Sequence, residues 1–166
     1  MKSYTRRTFI KKTAAASAAF SFTGMLSAVS AKSYSRILGS NERIRIGVIG
    51  CGGMANHHMR ALLETQESDN LEIASVCDIY SKRLDEAREL TGARAFENYG
   101  EILEDGDIDY VLIATPEHWH YQMTLDALDA GKHIYVEKPM THTIEQAQDI
   151  AAKAAASGLK LQVGVQ

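Results

Sequence analysis

Ile44-Arg45-Ile46-Gly47-Val48-Ile49-Gly50-Cys51-Gly52-Gly53-Met54-Ala55 is a short apolar run that breaks into a glycine turn and passes straight into an amphipathic segment. The run reads as a buried strand and the segment after it as a helix. Gly50 permits the tight turn, Gly52 lets backbone approach a phosphate, and the third small residue, Ala55, lets helix and strand pack closely. A helix starting near Gly52 turns unpaired N–H groups and the positive end of its dipole toward an anion. Gly50, Cys51, Gly52, Gly53, Met54 and Ala55 are therefore expected to surround a dinucleotide diphosphate. The G-x-G-x-x-A spacing also closes ordinary strand-to-helix turns, so the reading depends on the residues downstream of Ala55.

A second apolar strand lies there, Leu71-Glu72-Ile73-Ala74-Ser75-Val76-Cys77, ending on Asp78. A carboxylate at that strand end can accept hydrogen bonds from the adenosine ribose hydroxyls. Asp78 lies 28 residues beyond Gly50, against a usual separation of about 20, and the polar insert at 64–70 accounts for the excess. A carboxylate there repels a 2′-phosphate, which makes NAD the expected cofactor. Lys82 and Arg83 follow closely and supply the cations that NADP, the alternative, would require.

Strand and helix patterns then alternate to the end of the chain. Strands are expected at about 43–49, 71–77, 94–96, 107–113, 132–136 and 159–163. Gly92, Gly106, Gly131 and Gly158 stand where helices should end with a positive φ, and Asn98 with Glu101 and Thr143 with Gln146 have capping-box spacing. Six strands joined by helices imply right-handed crossovers and a parallel sheet covered on both faces. The expected architecture is α/β, a doubly wound parallel sheet (Rossmann fold), as one domain over 43–166.

The first 31 residues have a different character, with five Lys and Arg, no acid and an uncharged run from Thr13 to Ala31. This is the layout of an export signal, and Arg6-Arg7 followed by Phe9 and Ile10 resembles the twin-arginine type. The run is dominated by Ala, Ser and Thr, which would insert poorly in a bilayer, so a stable membrane anchor is not expected. Val29-Ser30-Ala31 offers a cleavage site; residues 1–31 are read as a signal peptide, 32–42 as a linker, and the protein as periplasmic or otherwise exported by the twin-arginine machinery. Without the signal, 13 Lys and Arg face 21 Asp and Glu, a balance that disfavours nucleic acid and anionic membranes as partners. Cys51 and Cys77 read as small buried residues rather than as a disulfide.

In an open parallel sheet, ligands sit beyond the carboxyl ends of the strands, near the reversal of strand order. The fourth expected strand ends in Ala114-Thr115-Pro116-Glu117-His118-Trp119-His120 and the fifth in Glu137-Lys138-Pro139-Met140. Pro116 and Pro139 hold Thr115 and Lys138 away from helical geometry. A lysine ammonium at a reacting centre can stabilise developing alkoxide charge or help move its proton. His118-x-His120 lacks an evident third ligand for zinc, and Asp105-Gly106-Asp107-Ile108-Asp109 departs from a calcium loop at Tyr110 and Pro116, so no metal site is expected. His57, His58, His133 and His142 are expected to pack or meet solvent.

The glycine loop, Thr115-Pro116 with His120, and Ala130-Gly131-Lys132-His133 leading to Glu137-Lys138-Pro139 together resemble the N-terminal domain of the glucose-fructose oxidoreductase, inositol dehydrogenase and MocA (Gfo/Idh/MocA) family. The match covers about 43–166. The resemblance implies NAD(P)-dependent hydride transfer on a sugar, cyclitol or related polyol. It places Lys138 beside the nicotinamide and the substrate hydroxyl as the catalytic residue. It puts Glu137 near the nicotinamide ribose, Thr115, Pro116 and His120 along the cofactor site, and Trp119 over the nicotinamide. Family members usually carry a second α/β domain that builds much of the sugar pocket and through which homo-oligomers could form. That domain is absent from this sequence, so a fragment or isolated cofactor domain is expected. The family also contains glycosidases that work through a redox-neutral cycle of oxidation, elimination, addition and reduction, although its exported glycosidase group tends to replace the lysine of Glu-Lys-Pro. A nucleotide-binding module without catalysis is the third alternative.

Overall fold

The computed structural model describes residues 43–165; the expected signal peptide and linker lie outside the described residues. From Arg43 onward the chain alternates strand and helix: β1 Ile44–Ile49, α1 Gly53–Thr65, β2 Leu71–Cys77, α2 Ser81–Thr91, β3 Arg94–Phe96, α3 Tyr99–Glu104, β4 Tyr110–Ile113, α4 His120–Asp129, β5 His133–Val136, α5 Ile144–Ser157 and β6 Leu161–Val163. A single 3-10 turn, Glu117–Trp119, precedes α4. The strands form one parallel sheet in the order β3-β2-β1-β4-β5-β6. This is the doubly wound order with its reversal between β1 and β4.

Alternation along the strands divides the core. Ile46, Val48, Ile73 and Val76 pack with Ala55 and Met59 of α1 and Leu84 and Ala87 of α2. Ile49, Val111, Ile113, Ile134 and Val136 pack with Ile102 of α3 and Met123 and Ala127 of α4. α1 and α2, which join the first three strands, thus share one face, and α3 and α4 lie on the other. Gly47 faces α3 so closely that an added Cβ would stand 2.5 Å from Ile102 Cγ2.

Most expected punctuation is present, with three local differences. Gly92, Gly131 and Gly158 carry positive φ, whereas Gly106 does not. There the α3 exit is made by Asp105, whose carboxylate accepts from the Asp107 N–H at 2.9 Å while its carbonyl accepts from Ile108 N at 3.2 Å. That turn occupies the expected start of the fourth strand, which therefore begins at Tyr110. The Asn98 side chain caps α3 through Gly100 N, one residue earlier than the box spacing suggests, and the sixth strand starts at Leu161 rather than 159.

Candidate dinucleotide site

At the reversal, the chain leaves β1 toward one face of the sheet and β4 toward the other, opening a crevice beyond their carboxyl ends. Its cavity measures about 560 Å³ and is lined by Gly50, Gly52, Asp78, Thr115, Pro116 and Trp119, among others. Gly50 has φ +87°, and a Cβ on it would stand 2.8 Å from the Ala114 carbonyl oxygen. Only glycine fits the positive φ and the close approach together. Its N–H donates to Cys77 O at 2.8 Å, while Ala114 N donates to Ile49 O at 2.9 Å. The turn is thereby fastened to both neighbouring strand ends.

Gly52 and Gly53 show the opposite property, because a Cβ on either would meet nothing within 4 Å. Gly52 is the extended N-cap of the 13-residue α1, and no side chain caps it. Gly52 thus puts bare backbone at the N-terminus of α1, the kind of helix end that can receive a diphosphate. Ala55 is fully buried against the sheet, while Met54 is half-buried.

Asp78 lines the same crevice. Its Oδ2 accepts from Cys51 N at 2.8 Å and its Oδ1 from Tyr80 N at 2.8 Å. The carboxylate thus brackets the glycine turn, and each oxygen retains a second lone pair for a ribose hydroxyl. Cys51 and Cys77 are free and buried; the Cys51 thiol donates to Cys77 O at 3.4 Å. Burial pushes both thiols up to about 12, with the Asp78 charge adding to the effect. Arg83 lies on the cavity wall beside Tyr80, its guanidinium 5.7 Å from the Tyr80 ring centre.

On the other side of the crevice, Thr115 donates weakly to Met123 Sδ at 3.5 Å, Pro116 lines the wall, and Trp119 is 45% exposed. Two of the expected cofactor residues are directed elsewhere. His120 is 1% exposed, with Nδ1 2.8 Å from Pro139 O and Nε2 2.9 Å from Thr115 O. Its ring joins the two proline turns and reaches the site through their backbones. Glu137 is only 5% exposed: Oε1 meets His58 Nε2 at 2.6 Å and the Tyr135 hydroxyl at 3.4 Å, and Oε2 accepts from Lys138 N at 3.2 Å. Burial pushes this carboxyl up, but hydrogen bonds from His58, Lys138 N–H and Tyr135 outweigh it and hold the group below its ordinary range. The carboxylate serves the turn from inside.

Lys138 itself is exposed at the end of β5, and among the described residues no ion pair engages its ammonium. The expectation for His58 is corrected: it neither simply packs nor faces solvent, but binds Glu137 from α1. No local pattern signals a partner 79 residues away; the only hint is a polar residue set one turn beyond a glycine loop.

Comparison with known proteins agrees with this geometry. Residues 44–165 match the family model described as the oxidoreductase family with an NAD-binding Rossmann fold, GFO_IDH_MocA. The rhizopine catabolism protein MocA of Rhizobium meliloti is 38% identical over 123 residues, covering 74% of this chain and 37% of the relative. The scyllo-inositol 2-dehydrogenase (NAD(+)) of Bacillus subtilis is 34% identical, covering 74% and 36%, and an alpha-N-acetylgalactosaminidase of Shewanella oneidensis is 31% identical, covering 66% and 25%. Among solved structures, the WlbA dehydrogenase of Chromobacterium violaceum in complex with NADH and UDP-GlcNAcA superposes with TM-score 0.69 at 34% identity, covering 74% of this chain and 35% of that one. The 3-ketoreductase KijD10 of Actinomadura kijaniata, in complex with NADP and TDP-benzene, superposes with TM-score 0.67 at 32% identity, covering 74% and 37%. The chain spans about a quarter to a little over a third of the length of these relatives.

Proposed function

This chain belongs to the Gfo/Idh/MocA family of oxidoreductases with an NAD-binding Rossmann fold, and from that premise we propose that it is the cofactor-holding domain of an exported enzyme that oxidises or reduces a sugar, cyclitol or related polyol. The observation that carries the reading is the convergence on one crevice of an open glycine turn and a strand-end carboxylate at Asp78, with an exposed lysine following β5 at the same end of the parallel sheet. Gly52, Gly53 and the first turn of α1 would hold the diphosphate, Asp78 the adenosine ribose, and Thr115, Pro116 and Trp119 the wall beyond them. A bound nicotinamide supplies the hydride donor or acceptor. Lys138 does the remaining work available to this domain: it attracts the reacting oxygen, lowers the cost of its negative charge, and holds or releases its proton. A sugar pocket and any homo-oligomer contact would be supplied by other parts of the protein.

NAD is the proposed cofactor because the Asp78 carboxylate repels a 2′-phosphate; Arg83 on the cavity wall supports NADP as the alternative. The test is titration of the full chain with NADH and NADPH, read by fluorescence of Trp119, the single tryptophan. Quenching by either nucleotide supports the cofactor role, and polyol-dependent NADH formation by the whole enzyme that contains this domain, lost in Lys138→Met, supports the catalytic one. Uptake of neither nucleotide overturns it.

A second reading, an NAD-dependent glycoside hydrolase, is favoured by the likeness to the alpha-N-acetylgalactosaminidase. Release of a coloured aglycone without net NADH would select it. Export rests on Arg6-Arg7 and the uncharged run after them. Because the twin-arginine route carries folded proteins, the dinucleotide is proposed to leave the cytoplasm already bound. Mass spectrometry of the periplasmic protein should find it; an empty protein that takes up NAD only weakly would count against this.

A further inference from the structure

Glu137 divides its carboxylate between two parts of the fold. Oε2 accepts from the Lys138 N–H at 3.2 Å, while Oε1 is taken by His58 Nε2 at 2.6 Å. His58 stands on α1, the helix whose first residue, Gly53, borders the proposed diphosphate cradle. Its ring also packs edge-on against Tyr135, centroids 5.2 Å apart, and the Tyr135 hydroxyl lies 3.4 Å from the same Glu137 oxygen. A Cβ on Gly164 would fall 2.5 Å from that hydroxyl and 3.1 Å from Oε1, so the end of β6 closes the pair from a third side. The His58 side chain is 21% exposed and that of Glu137 6%. One oxygen of a nearly buried carboxylate thus faces α1 and the other faces the lysine turn.

From this arrangement we infer that His58 is a positioning residue: by holding Glu137 it sets the backbone at Lys138 and ties the dinucleotide cradle to the lysine turn. One helix carries the phosphate donors in its first turn and the link to Glu137 one turn further on. Displacing α1 at its first turn must move the His58 ring, and with it the acceptor of the Lys138 N–H. This rests on the cofactor reading above and adds a residue and a coupling to it.

The full chain with His58→Ala, His58→Gln and no substitution separates the possibilities. Glutamine retains an N–H donor toward Oε1; alanine does not. NADH affinity, read by Trp119 fluorescence, should fall about tenfold in His58→Ala and recover to within about threefold in His58→Gln, the scale of a hydrogen bond to a charged group. Lys138 is followed separately by the ¹³C resonance of its reductively methylated amine, assigned by its loss in Lys138→Arg. NADH should shift that resonance in the parent and in His58→Gln, and leave it nearly unmoved in His58→Ala. Equal affinity and an equal lysine shift in His58→Ala would overturn the inference. So would a His58→Gln protein that is folded by circular dichroism yet as impaired as His58→Ala. Failure of the parent to bind either nucleotide would instead overturn the cofactor reading and this inference with it.

Discussion

The glycine turn after β1 and the lysine turn after β5 lie at the same edge of one sheet, yet they are held in different ways. Gly50 is held by what it lacks: a positive φ and a 2.8 Å approach to the Ala114 carbonyl leave no room for a side chain. The lysine turn is held by what reaches it, the His58 and Tyr135 side chains converging on Glu137 and the His120 ring on Pro139 O. A turn built from backbone is recognisable within a dozen consecutive residues, although Asp78, Cys77 and Ala114 complete it from the neighbouring strand ends. A turn built from side chains borrows from α1, α4 and β5, and can be adjusted by changes far away along the chain.

The sharpest way to break the contrast is at Gly50. Gly50→Ala should cost about 2–4 kcal/mol, because backbone strain and a clash with backbone atoms act together. The urea midpoint measures the loss, and NADH uptake should disappear with it. If the turn tolerates alanine, its dependence on an absent side chain is wrong. At the lysine turn, Lys138→Met should leave the fold and NADH affinity nearly intact while lowering polyol oxidation about 100-fold or more, the scale of one acid–base or charge-stabilising group. A large loss of NADH affinity instead would make the lysine a cofactor anchor.

Glu137 offers a smaller effect with a definite sign. Its folded carboxyl is held below the ordinary value of 4.5, so its contribution to stability is present in full above about that pH. The contribution is lost as pH falls through the lower folded value. Glu137→Gln should cost about 1 kcal/mol near neutral pH, and the gap between the two proteins should close in acid, as denaturant curves at several pH values would show. Least perturbing are the cysteines. With both thiols pushed up to about 12, a disulfide reagent at pH 8 should label the native protein at least about 100-fold more slowly than the urea-unfolded chain. Rapid native labelling would mean that the loop around Cys51 opens.

Much of the crevice can be read along the chain because its parts are local. The strand periodicity, the glycines at the turn, Asp78 at a strand end and the two prolines each report a backbone requirement in their immediate neighbours. The boundaries read less well where a side chain decides them. Asp105 ends α3 without a positive φ at Gly106, since a carboxylate can receive an N–H that would otherwise need a left-handed residue.

From its residues alone the chain determines an α/β doubly wound domain, the glycine turn, the strand ends that carry the site and the exposed lysine, because periodicity and backbone permissiveness are properties of short stretches. Tertiary structure alone decides where the polar side chains spend their hydrogen bonds. It turns Glu137 inward to His58, sends His120 to two carbonyls and makes Asp78 a bracket for the Cys51 N–H. The physical reason is that such a bond depends on two groups meeting in space, and residues separated by tens of positions meet only when the sheet has brought their strands and helices together.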